Sequence, residues 1–320
     1  MHTLITYAAP PGPHCKAALP HLVLPNLGRL LRHLSPGARL QGQAQDLTPV
    51  YERAQAQAAG LEGADGLIPW AAQEAQRLDL LALHGPKGWA WVTPCHWTVQ
   101  SDHVDMADPL QLALTPRDAE TLYLAMQPYF AEDGITLFAH APGQTHTRWL
   151  AHGAVFANLP TASLDRVAGR VVDPWLPRQA QAKPLRRLQN EMQMLLYTHP
   201  VNDQRASFHL SAVNAFWVSG TGTLQGPHGA PVQTTPCTLR DALRQPALAD
   251  DAAAWVSAWH ALDASTLAHD VERLQQGGLL QLTLCSDTQA LTLEHRPLRP
   301  WDRLLRRMAP VKPQEILRSL

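Results

Sequence analysis

Short apolar runs of strand-forming residues alternate in this chain with leucine-rich helical stripes, and that alternation restricts it to a layered α/β fold. Residues 3–9 (TLITYAA) read as a buried opening strand, broken by Pro10, Pro11 and Gly12. Behind them, leucines at 27, 30, 31 and 34 recur at helical spacing, with Pro25 suited to the first turn. Helical patterns are then expected over 49–61, 70–80, 115–130, 184–197, 252–261 and 267–275, and strands over 89–99, 134–140, 147–151, 215–219 and 279–285. The expected class is α/β, with a mainly parallel or mixed sheet flanked by helices. Residues 1–84 and 156–320 would form its core and 85–155 an inserted, more antiparallel subdomain. About 25 residues after Gly222 are heavy in Gly, Pro, Thr and Gln and read as a linker or crossover.

Charge limits the partners. Against 27 acidic residues stand 26 Lys and Arg, a formal net charge of −1, so there is no broad basic field for sequence-independent nucleic-acid binding. Arg186-Arg187 and the 303–307 stretch RLLRR are local exceptions, readable as a solvated helix face or as an anion-binding face. Cys15, Cys95, Cys237 and Cys285 are scattered without metal-binding or disulfide-framework spacing, and no stretch reaches the roughly 18 apolar residues of a membrane span. A cytoplasmic protein with reduced thiols and no membrane partner is expected.

Two strips carry a more specific signal. Residues 157–171, ANLPTASLDRVAGRV, and residues 198–222, THPVNDQRASFHLSAVNAFWVSGTG, resemble the archaeal-type cofactor-independent phosphoglycerate mutases of the alkaline-phosphatase superfamily. LPNLGRLL at 24–31 is a weaker echo. The blocks LPNL, GLIPWAA, PCHW, LQNEMQMLLYTHPVNDQR and VNAFWVSGTG further resemble the bacterial RpfE-type regulatory protein family. The resemblance implies an alkaline-phosphatase-like core and a ligand-binding set of Arg166, Arg170, His199, Asn202, Arg205 and Asn214, with a phosphorylated small-molecule acid or a protein as partner. Guanidinium groups suit bidentate contact with such an anion. The alternative reading of the same residues is structural: Asp165 and Arg166 pairing locally, Asn202 fixing a turn and Gly169 permitting one.

The catalytic half of the resemblance is incomplete. Superfamily chemistry uses two divalent ions held by Asp and His around a Ser or Thr nucleophile. The position just after the first strand, where the first Asp belongs, reads Thr6-Tyr7-Ala8-Ala9-Pro10. Later ligands reduce to the candidate remnants Asp263, His269 and Asp287, with Thr288 standing where a histidine would follow the last of them. The expected function is a phosphoglycerate-mutase-like protein with an eroded metal site, acting as a non-catalytic anion-binding or regulatory protein. The alternative is a divergent metal-dependent mutase or phosphatase, with Mn or Zn held by a rebuilt set drawn from Asp102, His103, Asp263, His269 and Asp287. On the first reading no cofactor is assigned.

Sixteen histidines invite other metal sites, and Cys95-His96 with Asp102, His103, Asp105 and Asp108 is the densest group. Neighbours along a strand point to opposite faces, which argues against both a metal site and a Cys95–His96 nucleophile pair there. The ten tryptophans are expected chiefly as core anchors.

Overall fold

The computed structural model describes residues 1–139, 147–224, 237–295 and 311–320. Its first part forms β1 (His2–Ile5), α1 (Pro13–Ala18), α2 (Pro25–Leu31), β2 (Leu34–Gln41) and α3 (Val50–Ala58). There follow α4 (Trp70–Arg77), α5 (Leu81–His84), β3 (Trp89–Cys95), β4 (Trp97–Val99), β5 (Val104–Met106) and α6 (Pro116–Glu132). Next come β6 (Thr136–Phe138), β7 (Trp149–His152), α7 (Leu164–Val167), β8 (Arg170–Val171), α8 (Lys183–Tyr197), α9 (Pro200–Ser207) and β9 (Ala215–Gly222). The last part forms β10 (Cys237–Arg240), α10 (Arg244–Leu248), α11 (Ala252–Leu262), a π-helical turn (Asp263–Leu267) and α12 (Ala268–Gln275). It closes with β11 (Gln281–Cys285), β12 (Gln289–His295) and α13 (Pro313–Arg318).

These elements divide into two compact units. The first gathers Met1–Gln45, Pro49–Gly60 and Val232–Leu320 around a five-stranded sheet in the order β10-β1-β11-β12-β2. β1 runs parallel to β10 and β11, while the β11–β12 and β12–β2 pairs are antiparallel, so the sheet is mixed and flanked by helices, as expected. Its interior is apolar: Leu4, Leu27, Leu30, Leu282, Leu284, Trp255 and Trp259 share one core.

The second unit comprises Asp46–Thr48 and Leu61–Pro231. A four-stranded sheet, β6-β7-β3-β9, and a three-stranded sheet, β4-β5-β8, form its framework, and all their strand pairings are antiparallel. The expected insertion boundaries at 85 and 155 both fall inside this unit. The reason is the pairing of β9 with β3, register Val92↔Val218, which ties the 215–222 strand to the segment read as inserted. Phe130 and Phe216, rings 5.0 Å apart, join α6 to that strand in a core with Leu188 and Met192 from α8.

Several local expectations hold and several shift. α6 begins as its sequence suggests, with Thr115 as N-cap, Pro116 in the first position and Asp118 completing a capping box. The leucine stripe ends sooner: α2 stops at Leu31, and Leu34 opens β2 instead of a further helical turn. Part of the stretch read as linker is the strand β10 and the start of α10, while 225–236 lies outside the described residues, as do Arg303–Arg307 and the expected Pro142-Gly143 turn. Among the described residues no helix is long and apolar enough to cross a membrane.

Candidate functional site

In an α/β sheet, ligands and catalytic groups gather where strands end at their carboxyl edge, so the residues after β1 come first. Thr6 is buried and its amide donates to the Arg240 carbonyl at 3.1 Å, extending the β1–β10 pairing. Tyr7 follows with φ 51°, in the left-handed region that a bulky residue rarely adopts. The Tyr7 and Ala8 carbonyls accept from the indole N–H groups of Trp255 (3.2 Å) and Trp259 (3.3 Å), and the Ala8 amide donates to the Cys285 carbonyl at 2.7 Å. Both indoles are fully buried and meet edge to face at 6.3 Å. Burial also pushes the Cys285 thiol up, away from a reactive thiolate. The carboxyl end of β1 is therefore packed against two indole rings, which bond two of its carbonyls.

The three candidate metal remnants occupy three different structural posts in this same unit. Asp263 is buried and caps α2: its carboxylate accepts from the amides of Asn26 (3.1 Å) and Leu27 (2.8 Å), while Asn26 Nδ2 donates to the Asp263 carbonyl at 2.9 Å. His269 is exposed on α12, 3.3 Å from an Arg273 guanidinium nitrogen. Asp287 lies in the β11–β12 hairpin, where Ser286 Oγ accepts from the amides of Thr288 (3.3 Å) and Gln289 (3.0 Å). Among the described residues no three His, Cys, Asp or Glu side chains are grouped closely enough to hold a metal ion. Asp263, His269 and Asp287, as placed here, do not fit a two-metal clamp.

The ligand set implied by the strips is in the second unit, and most of it is taken up by the fold. Arg205 is buried, donating from Nε to the Ser211 carbonyl (2.9 Å) and from its terminal nitrogens to Asp118 (2.9 Å) and the Leu112 carbonyl. Asn202 spans two segments: its amide group donates to the carbonyls of Leu196 and Val213, and its oxygen accepts from the Val213 amide, each at 2.8 Å. Asn214 does the same for Trp97, accepting from its amide at 2.7 Å and donating to its carbonyl at 2.8 Å. His199 caps α9 through Nδ1, which accepts from the Val201 amide. Arg166 is buried in α7 near the Trp175 ring, and Arg170 is half-buried in β8. Asn202, Arg205 and Asn214 thus have a structural part in the fold, since the polar ends named here meet a backbone group or a carboxylate of the same unit.

The two strips do come together, through their less conspicuous residues. Thr161 and Thr221 share a hydroxyl contact at 2.9 Å, Thr221 also donates to the Leu159 carbonyl, and the Trp217 indole donates to the Ala162 carbonyl at 2.9 Å. Gly222 is required there: a Cβ on it would lie 2.3 Å from the Leu67 carbonyl oxygen. The signature that resembles the mutases is here a seam between β9 and the 157–162 segment.

Comparison with known proteins adds a distant likeness only. No family model and no curated protein matches the sequence. Among solved structures, the cofactor-independent phosphoglycerate mutase from Thermoplasma acidophilum DSM 1728 is similar at 13% identity over 93% of this chain and 90% of that one, with a TM-score of 0.35. The PH0037 protein from Pyrococcus horikoshii is similar at 11% identity over 93% and 88%, with a TM-score of 0.40.

Other sequence candidates are also resolved by their partners. Cys95 is fully buried and its thiol is pushed up by that burial, while His96 Nδ1 lies 2.8 Å from the Ala212 carbonyl, so the two do not form a nucleophile pair. His103 sits between Asp102 (2.6 Å) and Asp105 (3.1 Å), which hold its proton more firmly than usual, the Asp102 hydrogen bond most of all. Arg186 donates to the Pro177 carbonyl and Arg187 pairs with Asp133 and Glu191, a braced helix face.

The sequence reading missed a concave surface on the first unit. Two adjoining hollows of about 280 and 550 Å³ both include Arg29 and Arg32 of the α2 region. The available signal was the spacing of these arginines, which sit between the leucines of the stripe and so face away from the core.

Proposed function

We propose that this chain is a phosphoglycerate-mutase-like protein of the RpfE type that has given up metal-dependent phosphoryl transfer and acts by binding, as a regulatory protein responding to a phosphorylated acid or a protein partner. The observation that carries this reading is the closed edge of β1, where the Trp255 and Trp259 indoles bond the Tyr7 and Ala8 carbonyls in place of a ligand-bearing loop. The role of Asp263 as a helix cap supports it, since a carboxylate accepting two backbone amides has fewer lone pairs for a metal. Four cysteines without a disulfide suit a reducing, cytoplasmic setting.

The test combines elemental analysis of the purified protein with a mutase assay on 3-phosphoglycerate in added Mn. The expected result is substoichiometric Mn and Zn and no turnover above the uncatalysed rate. Stoichiometric metal together with turnover that disappears in Asp287→Ala overturns the reading in favour of a divergent metalloenzyme.

A further inference from the structure

α2 presents two faces of opposite character. Leu27, Leu30 and Leu31 enter the core, while Arg29 and Arg32, one turn apart, stand exposed on the other side. Both arginines line both hollows, and α13 brings Lys312 to the second one from its N-cap position. The first hollow has an apolar floor of Leu30, Val271 and Leu274. Among the described residues no carboxylate lines either hollow, although acidic and basic residues are almost equal in number over the whole chain.

Like charges one helical turn apart repel, and a helix carries them at a cost unless something negative lies between them. Their place near the carboxyl end of α2 accounts for part of this, because that end of a helix favours cations. It does not account for Lys312, which arrives from a separate element on the same hollow. Arg29 bonds Asn26 Oδ1 at 3.2 Å through one nitrogen, leaving most of its five donors for a second acceptor.

We propose that this surface binds a phosphorylated small molecule, with its phosphate between Arg29 and Arg32 and its apolar portion on Leu30, Val271 and Leu274. Paired guanidinium forks match phosphate oxygens better than ammonium groups do, and the smaller hollow is close to the lower size of small-molecule sites. The inference does not depend on whether the chain has lost catalysis: mutase turnover tests that reading and leaves this one untouched.

The test is calorimetric titration of the full chain with phenyl phosphate, inorganic phosphate and phenol at low and at physiological ionic strength. Phenyl phosphate is expected to bind saturably and more tightly than phosphate, with phenol silent and affinity falling as salt rises. Arg29→Ala/Arg32→Ala should weaken it at least tenfold, and Arg32→Lys should recover only part of the loss. Arg117→Ala, an exposed arginine of the other unit, should bind as the wild type does. Since both groove arginines are exposed, the double variant should unfold within a few degrees of the wild type; if it does not, Arg32→Lys alone is compared. Absence of saturable binding by the wild type, or binding unchanged in the double variant, overturns the proposal. So does capture on phosphatidic acid vesicles that needs both arginines when free phenyl phosphate is not bound, which would assign the surface to a lipid headgroup.

Discussion

Asp263 satisfies the two backbone amides that Pro25, having none of its own, leaves at the start of α2. Removing such a cap costs about 0.5–2 kcal/mol. Asp263→Ala should lower the stability of the first unit by that amount in urea unfolding, with no change in Mn retained after dialysis. A variant that unfolds as the wild type does would return Asp263 to the list of ligand candidates. Arg205 makes the stronger prediction. Its guanidinium is buried against Asp118 and two carbonyls, and removing one partner of a buried ion pair costs about 3–5 kcal/mol. Arg205→Ala should therefore behave as a folding mutant of the second unit, whereas a ligand-binding arginine would be lost with little effect on unfolding. His152 adds a pH dependence. Burial, and then the neighbouring His84 ring at 5.0 Å, hold its imidazole below the usual 6.5. The unfolded chain thus takes up a proton more readily than the native one, and stability rests on the neutral ring. It is fully present above about pH 6.5 and declines as pH falls through the depressed native value. His152→Phe should flatten that part of the unfolding profile.

Helices α1 and α2 are built alike. Each starts with a proline, and each has its next two amides bound by one aspartate from the far end of the chain: Asp250 accepts from His14 (3.1 Å) and Cys15 (3.0 Å) as Asp263 does from Asn26 and Leu27. The Cys15 amide above all, then His14, holds the Asp250 carboxyl down at about 2. Because that carboxyl is depressed on folding, its contribution is present above pH 3.8 and lost as pH falls towards 2. Asp250→Asn should remove this acid-sensitive step from the circular-dichroism titration. None of this was readable beforehand, since proline at the first turn is a local signal while the capping carboxylate is some 236 residues away in sequence. The same division explains which elements the sequence disclosed. α6 and α8 carry long periodic stripes and β1 a dense apolar run, so their existence followed from pattern alone. β2 contains Pro36 and Gly37, which read as a turn, and is tolerated as a strand because it lies at the edge of its sheet. β10 spans four residues, Cys237–Arg240, too few for a period to show. The surroundings of the candidate site were illegible for a related reason: Arg, Asn and His suit both anions and backbone carbonyls, and only the fold shows which backbone groups they meet.

The second unit is nearly continuous, and Asp46–Thr48 is its one outlying piece. The amides of Leu47 and Thr48 donate to Asp65 at 2.8 Å each, and Thr48 Oγ1 accepts from the Gly66 amide. A fragment spanning Asp46–Pro231 should unfold cooperatively by itself and at a higher urea midpoint than Leu61–Pro231, which lacks those bonds; equal midpoints would show that the outlying piece adds nothing. The first unit has no such independence, because β1 lies between β10 and β11 and the chain must supply both before the two edges of β1 are covered. Ile5 and its partner Arg240 are separated by the whole second unit. During translation at about 5–20 residues per second, that separation leaves β1 without either strand partner for roughly 10–50 s. A lag between synthesis and protease resistance of residues 2–9 is therefore the cost of placing β1 far in sequence from both of its strand partners.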